Sequence, residues 1–186
     1  SISSRYTMAM ARPKQTDLAI LGGLSVEPMT GYRLRTEITE VLGHFWHESY
    51  GQIYPALARL EREGLISSTS GERTSSKVYA LTTEGQKELR RRLAESPEHQ
   101  QPRNALLLRV FFGANLAPED LRRLLDDYEA ELAAGLARFA GIRLAITGDP
   151  LSAVHGRYWL ATVSAGEHAI RAQLEWLAET RRDLLA

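Results

Sequence analysis

Apolar positions recur along the first half of the chain at helical spacing, then at strand spacing, then at helical spacing again. Leu18, Leu21 and Leu24 mark a first helix that Thr16 can cap and that ends around Glu27-Pro28. Thr30 can cap a second, "GYRLRTEITEVLG", with Tyr32, Leu34, Ile38 and Val41 roughly on one face and Gly43 past its end. A third lies in "SYGQIYPALARLEREGLI", residues 49–66, where Ile53, Leu57 and Leu60 share a face and Gly64 stops the run. Pro55 is tolerable there if it lies near the first turn, but it bends the helix if the helix starts as early as Ser49.

The period then changes. "LISSTS" and "KVYALTT" are rich in β-branched and aromatic residues and flank the polar tip "GERTSS", which predicts a hairpin. Thr83 followed by Gln86 has capping-box spacing and opens a basic helix, "EGQKELRRRLAE". Three helices, a two-stranded wing and a further helix in that order make a winged helix-turn-helix.

Beyond a polar stretch with two prolines, "SPEHQQPR", the pattern is helical to the end. "NALLLRVFFGANL" predicts a buried apolar helix. Pro118, with Glu119 and Asp120 behind it, starts a long helix whose stripe is Leu121, Leu125, Tyr128, Leu132, Phe139 and Ile142. After the turn "TGDP" a second long helix sets Val154, Trp159, Val163, Ile170, Leu174 and Leu177 near one face. The expected fold is mainly α. A tail covers residues 1–15, a winged helix domain 16–96, a linker 97–103, and a helical dimerisation or effector domain 104–186.

Charge changes this picture little. The 186 residues carry 23 basic and 23 acidic side chains, so any nucleic-acid partner must be met by local placement. Up to residue 96 there are 13 basic against 11 acidic residues, and beyond it 10 against 12. The absence of cysteine removes disulfides and thiolate metal sites. No apolar run approaches the roughly 20 residues that span a bilayer, and the N-terminus has no signal architecture, so a cytoplasmic location is expected. "MARPK" from Met10 reads as a natural start, which would make much of residues 1–9 either added sequence or the result of a mis-set start. No phosphate-binding glycine loop, nucleophile elbow or H-E-x-x-H pair is present, so neither an enzyme nor a cofactor is expected.

"LAILGGLSVEPMTGYRLRTEI", "GQIYPALARLEREGLI" and "KVYALTTEGQKEL" resemble the three blocks of the PadR family of bacterial transcriptional regulators. The matching positions include Gly31-Tyr32, the run Ile53 to Leu57, Leu60-Glu61, Gly64-Leu65-Ile66 and Tyr79, Leu81 and Thr82. Tyr158, Gly166 and Trp176-Leu177 resemble the family's long dimerisation helices. The chain departs from the family at Arg33, where Glu is usual, and in the wing tip, whose only cations are Arg73 and Lys77. The resemblance implies a homodimer that binds double-stranded DNA and answers to a small aromatic or drug-like effector.

The third helix suits that role. With Ile53, Leu57 and Leu60 inward, Gln52, Pro55 or Ala56, Arg59 and Arg62 face outward. Gln52 can pair with an adenine edge and Arg59 with guanine or phosphate. Ser49, Tyr50 and the Gly51 backbone lie where helix amides attract phosphate. Tyr54 offers a hydroxyl, and Arg73 and Lys77 would add wing contacts. Lys14 and Tyr32 complete the candidate DNA-binding set. A different reading makes the winged domain a protein-binding module within a helical interaction protein.

Phe139, Tyr158, Trp159 and Trp176 are candidates for an aromatic effector pocket, against the plainer reading as core or dimer packing. His44 and His47 are spaced as a metal pair but lack a third ligand nearby, so no metal site is expected.

Overall fold

The computed structural model describes residues 12–43, 45–46, 50–70, 77–97 and 104–185, with the side chains of 12–14 and 50 left aside. Contacts divide the chain into two compact units, Ser1–Glu98 and His99–Ala186. In the first, α1 (Arg12–Val26), β1 (Met29–Thr30), α2 (Gly31–Glu40), α3 (Tyr50–Arg62), β2 (Ile66–Ser70), β3 (Lys77–Leu81) and α4 (Thr83–Leu93) follow in order. The second holds α5 (Ala105–Phe111), a 3-10 turn (Gly113–Asn115), α6 (Pro118–Gly148) and α7 (Ser152–Leu185).

One apolar core organises the first unit. Ile20, Leu21 and Leu24 of α1 meet Leu34 and Ile38 of α2, Ile53, Leu57 and Leu60 of α3, Ile66 of β2 and Leu89 of α4. Thr30 caps α2 as its spacing predicts, its hydroxyl accepting from the Arg33 amide at 3.2 Å. Arg33 instead uses its side chain on Glu27 and Glu37. Gly64, at φ 72°, takes the left-handed conformation that ends α3 and turns the chain into the wing.

Several expectations change. Helix α1 begins at Arg12, so Thr16 is a buried residue inside the helix rather than its cap. Thr82, not Thr83, caps α4, accepting from the Gly85 amide at 3.0 Å. The wing is three-stranded in the order β1-β3-β2, because Met29 and Thr30 pair antiparallel with Tyr79 and Val78. Helix α5 is short and largely uncovered: only Leu106 is buried, whereas Leu107, Leu108, Phe111 and Phe112 are exposed.

In the second unit α6 and α7 pack along their length, burying Leu121, Leu125, Leu132, Phe139, Val163 and Leu177. Pro118 is the first residue of α6, with Glu119 and Asp120 in its first turn. Asp149 makes the hairpin turn, its carboxylate accepting from the Leu151 amide at 2.8 Å. Val154, placed on the inner stripe by its spacing, is exposed near the hairpin's turn. Tyr128 donates to Gln173 at 2.7 Å, and Arg143 donates to Glu167 at 2.9 Å, tying the two helices side by side.

Candidate nucleic-acid interface

Helix α3 presents two different faces. Ile53, Ala56, Leu57 and Leu60 are at most 2% exposed, so Ala56 belongs to the inner face and Pro55 to the outer one. At 100° per residue the outer face centres on Gly51, Pro55, Ala58 and Arg62. Three of these four are small, so another molecule can approach the helix backbone closely there. Exposed Gln52 flanks this strip on one side and Tyr54, 49% exposed, on the other.

Pro55 is the sixth residue of α3, past its first turn rather than within it. It has no N–H, so the ladder bond to the carbonyl of Gly51, four residues earlier, cannot form.

The glycine-tyrosine pair at the start of α2 has a packing reason. A Cβ on Gly31 would lie 3.1 Å from the Tyr54 ring and 3.3 Å from Leu57, so glycine lets α2 approach α3. Tyr32 then projects outward, 67% exposed, with the Arg35 guanidinium 5.5 Å from its ring centre. Apolar spacing alone does not point to Arg35. Its only sequence signal is a place one turn after Tyr32.

Two cations expected at the DNA surface are held by carboxylates. Arg59 is half-buried rather than outward, its guanidinium bonded to Asp17 of α1 and near Glu63. Periodicity puts residue 59 at the edge of the outer face, and a buried acid on α1 draws it in. Lys77 stays exposed, with Nζ 3.4 Å from Glu61. Glu61 also accepts from the Ser68 hydroxyl at 2.5 Å, which with Lys77 holds its carboxyl below the usual range. Glu61 thereby ties α3 to β2 and β3 of the wing. Ser49, Arg73, His44 and His47 lie outside the described residues, as do the side chains of Lys14 and Tyr50.

The same fold and sequence blocks occur in known regulators. Residues 20–91 match the transcriptional regulator PadR-like family, and residues 102–184 match the virulence activator alpha C-terminal family. The negative transcriptional regulator PadR of Bacillus subtilis is 30% identical over 140 residues, covering 72% of this chain and 77% of PadR. The chain belongs to the PadR-like family. That family comprises transcriptional regulators, not enzymes. Bacillus subtilis PadR crystallised with operator DNA has the same fold, with a TM-score of 0.77 at 24% identity over 90% of this chain and 98% of that one. PadR crystallised with p-coumaric acid gives 0.74 at 26% identity over 91% and 98%.

In this PadR-like chain the four candidate effector aromatics do not gather in one place. Phe139 is buried, its ring against Gly166 of α7. Trp176 packs on the core formed by Leu106, Leu121, Leu125, Leu132 and Leu177. Trp159, 17 residues and so about 26 Å earlier on the same helix, stacks on His155 at 5.4 Å. Tyr158 is exposed beneath the Arg157 guanidinium, 4.6 Å away. Two grooves lie elsewhere in the second unit. A groove of about 540 Å³ is lined by Leu108, Arg109, Phe112, Leu116 and Leu124. A second, of about 520 Å³, is lined by Asn104, Leu106, Tyr128, Glu131 and Gln173.

Among the described residues no helix is long and apolar enough to cross a membrane.

Proposed function

We propose that this PadR-like regulator is a cytoplasmic homodimeric repressor whose two α3 helices enter successive major grooves of a pseudo-palindromic operator. The observation that carries this is the outer face of α3, a strip of small residues with Gln52 on its rim, on a core-anchored helix beside a wing. Family membership favours DNA over protein as the partner of the winged domain. The 30% identical relative from Bacillus subtilis is a negative regulator, and it has been crystallised with operator DNA.

Gln52 reads a base edge, and Tyr54, Tyr32 and Lys77 hold the flanking phosphates. Ser49, Tyr50 and Gly51 at the start of α3, Lys14 and the wing's Arg73 add further backbone contacts. Half-sites lie about one helical turn apart, roughly 34–36 Å. The exposed apolar side of α5, with Leu107, Leu108, Phe111 and Phe112, supports burial against a second copy together with α6 and α7. A small aromatic effector releases the repressor, by analogy with the relative seen with p-coumaric acid. It does so only by binding the DNA-free arrangement more tightly than the DNA-bound one.

Anisotropy titration against the DNA upstream of its own gene tests the reading. Specific binding should fall steeply with salt. Gln52→Ala should lose about 1–3 kcal/mol of discrimination at one base pair of each half-site. A dimer, established by sedimentation, that binds no upstream DNA even at low salt would rule the proposal out.

A further inference from the structure

Beneath α3 sits a charged junction that neither DNA contact nor apolar packing accounts for. Asp17 of α1 has only 7% of its side chain exposed, and it is the one buried carboxylate among the described residues. Both of its oxygens are used. Oδ1 accepts from Nη2 of Arg59 on α3, and Oδ2 accepts from Nη1 of Arg92 on α4 at 3.2 Å. Arg92, 16% exposed, also donates Nε to Glu88 at 2.7 Å. Burial works against its charge, yet the bonds to Glu88 and Asp17 outweigh it and leave Arg92 more firmly protonated.

We propose that Asp17 is a positioning residue for DNA recognition, one that fixes the rotation and depth of α3 and keeps Arg59 from touching DNA. The proposal rests on the reading of α3 as the DNA-binding helix. Its physical ground is the contrast between two kinds of contact. Ile53, Leu57 and Leu60 hold α3 by apolar burial, which is non-directional and resists a small rotation or slide only weakly. Charge-assisted bonds from a planar guanidinium are directional and short-ranged. Asp17 ties residues 42 and 75 positions away, so one carboxylate sets three helices against each other. Arg59 occupies the edge of the outer face nearest α1 and can serve either Asp17 or a phosphate. Asp17 takes it.

The test is anisotropy titration of the full-length protein with its operator duplex across a salt series, with amide exchange over α3 read on the same samples. Asp17→Asn and Arg59→Ala are each expected to weaken operator binding about tenfold or more. The slope of log K against log salt should stay that of the wild type, because no phosphate contact is lost. The double variant should bind no more weakly than the poorer single one, since both remove one contact. Exchange in residues 53–62 should rise in Asp17→Asn. Arg59→Lys, which keeps charge and fold but not the forked geometry, should show a smaller loss at the same slope, and it carries the test if Asp17→Asn fails to fold.

Two results overturn the proposal. If Arg59→Ala flattens the slope by about 0.9, Arg59 contacts a phosphate. If Asp17→Asn binds more tightly, Asp17 competes with DNA rather than positioning the helix. A wild-type dimer that binds no operator overturns the reading of α3 itself, and the exchange data then stand apart as a measure of how Asp17 holds the helix.

Discussion

Single residues carry much of the electrostatics. Glu88 accepts from Arg91 at 2.7 Å and 2.8 Å and from Arg92 at 2.7 Å, and these bonds hold its carboxyl at about 2. A folded-state value below the ordinary 4.5 means the bonds stabilise the folded protein above about pH 4.5 and lose that effect as pH falls towards 2. The site is partly open to water, which limits the effect to about 1 kcal/mol. Thermal melts should therefore show Glu88→Gln less stable than wild type at pH 7, with the gap closing as pH drops below 4. A gap that keeps its full pH 7 size at pH 2.5 would mean that packing, not charge, is responsible. Leu57, 1% exposed at the centre of the first core, sets the larger scale. Leu57→Ala should cost about 2–5 kcal/mol in denaturant titration.

At the level of elements, helix α3 combines a firm inner face with an imperfect outer one. Pro55→Ala would supply the missing amide to the Gly51 carbonyl, so it should raise the melting temperature while altering operator affinity. Between α6 and α7 the close approach depends on Gly166, where a side chain would run into the Phe139 ring. Gly166→Val should destabilise the second unit by about 1–3 kcal/mol, measured by calorimetry. Most of these elements were legible from spacing alone. Ile53, Leu57 and Leu60 announce α3, and the stripes from Leu121 to Phe139 and from Val163 to Leu177 announce the hairpin. What stayed hidden has physical reasons. Strand β1 has two residues, too few to show a period. The start of α1 is polar, and Thr16 has the chemistry of a cap while being buried inside the helix. Thr82 and Thr83 are equally good caps until the strand before them fixes where the chain turns. Arg59 shows the limit most clearly: periodicity gives its angle around α3, but its partner lies 42 residues away.

For the whole molecule the balance of charge is the governing property. With 23 basic and 23 acidic residues the isoelectric point falls near 7.0. Solubility should pass through a minimum close to neutral pH, which a precipitation series over roughly pH 5–9 would reveal. Binding to unrelated DNA should be weak for the same reason. The three lysines all lie before residue 88, so amine-reactive labels will report on the winged unit and leave the hairpin unmarked. That hairpin has 31 residues in α6 and 34 in α7, about 46 and 51 Å of helix. A bar of about 50 Å is a lever: tilting it by about 5° moves its far end by about 4 Å. A repacking no larger than one ring shifting over Gly166 is therefore magnified along the helix pair. How much of that movement reaches the other end depends on the stiffness of the bar as much as on how strongly anything binds to it.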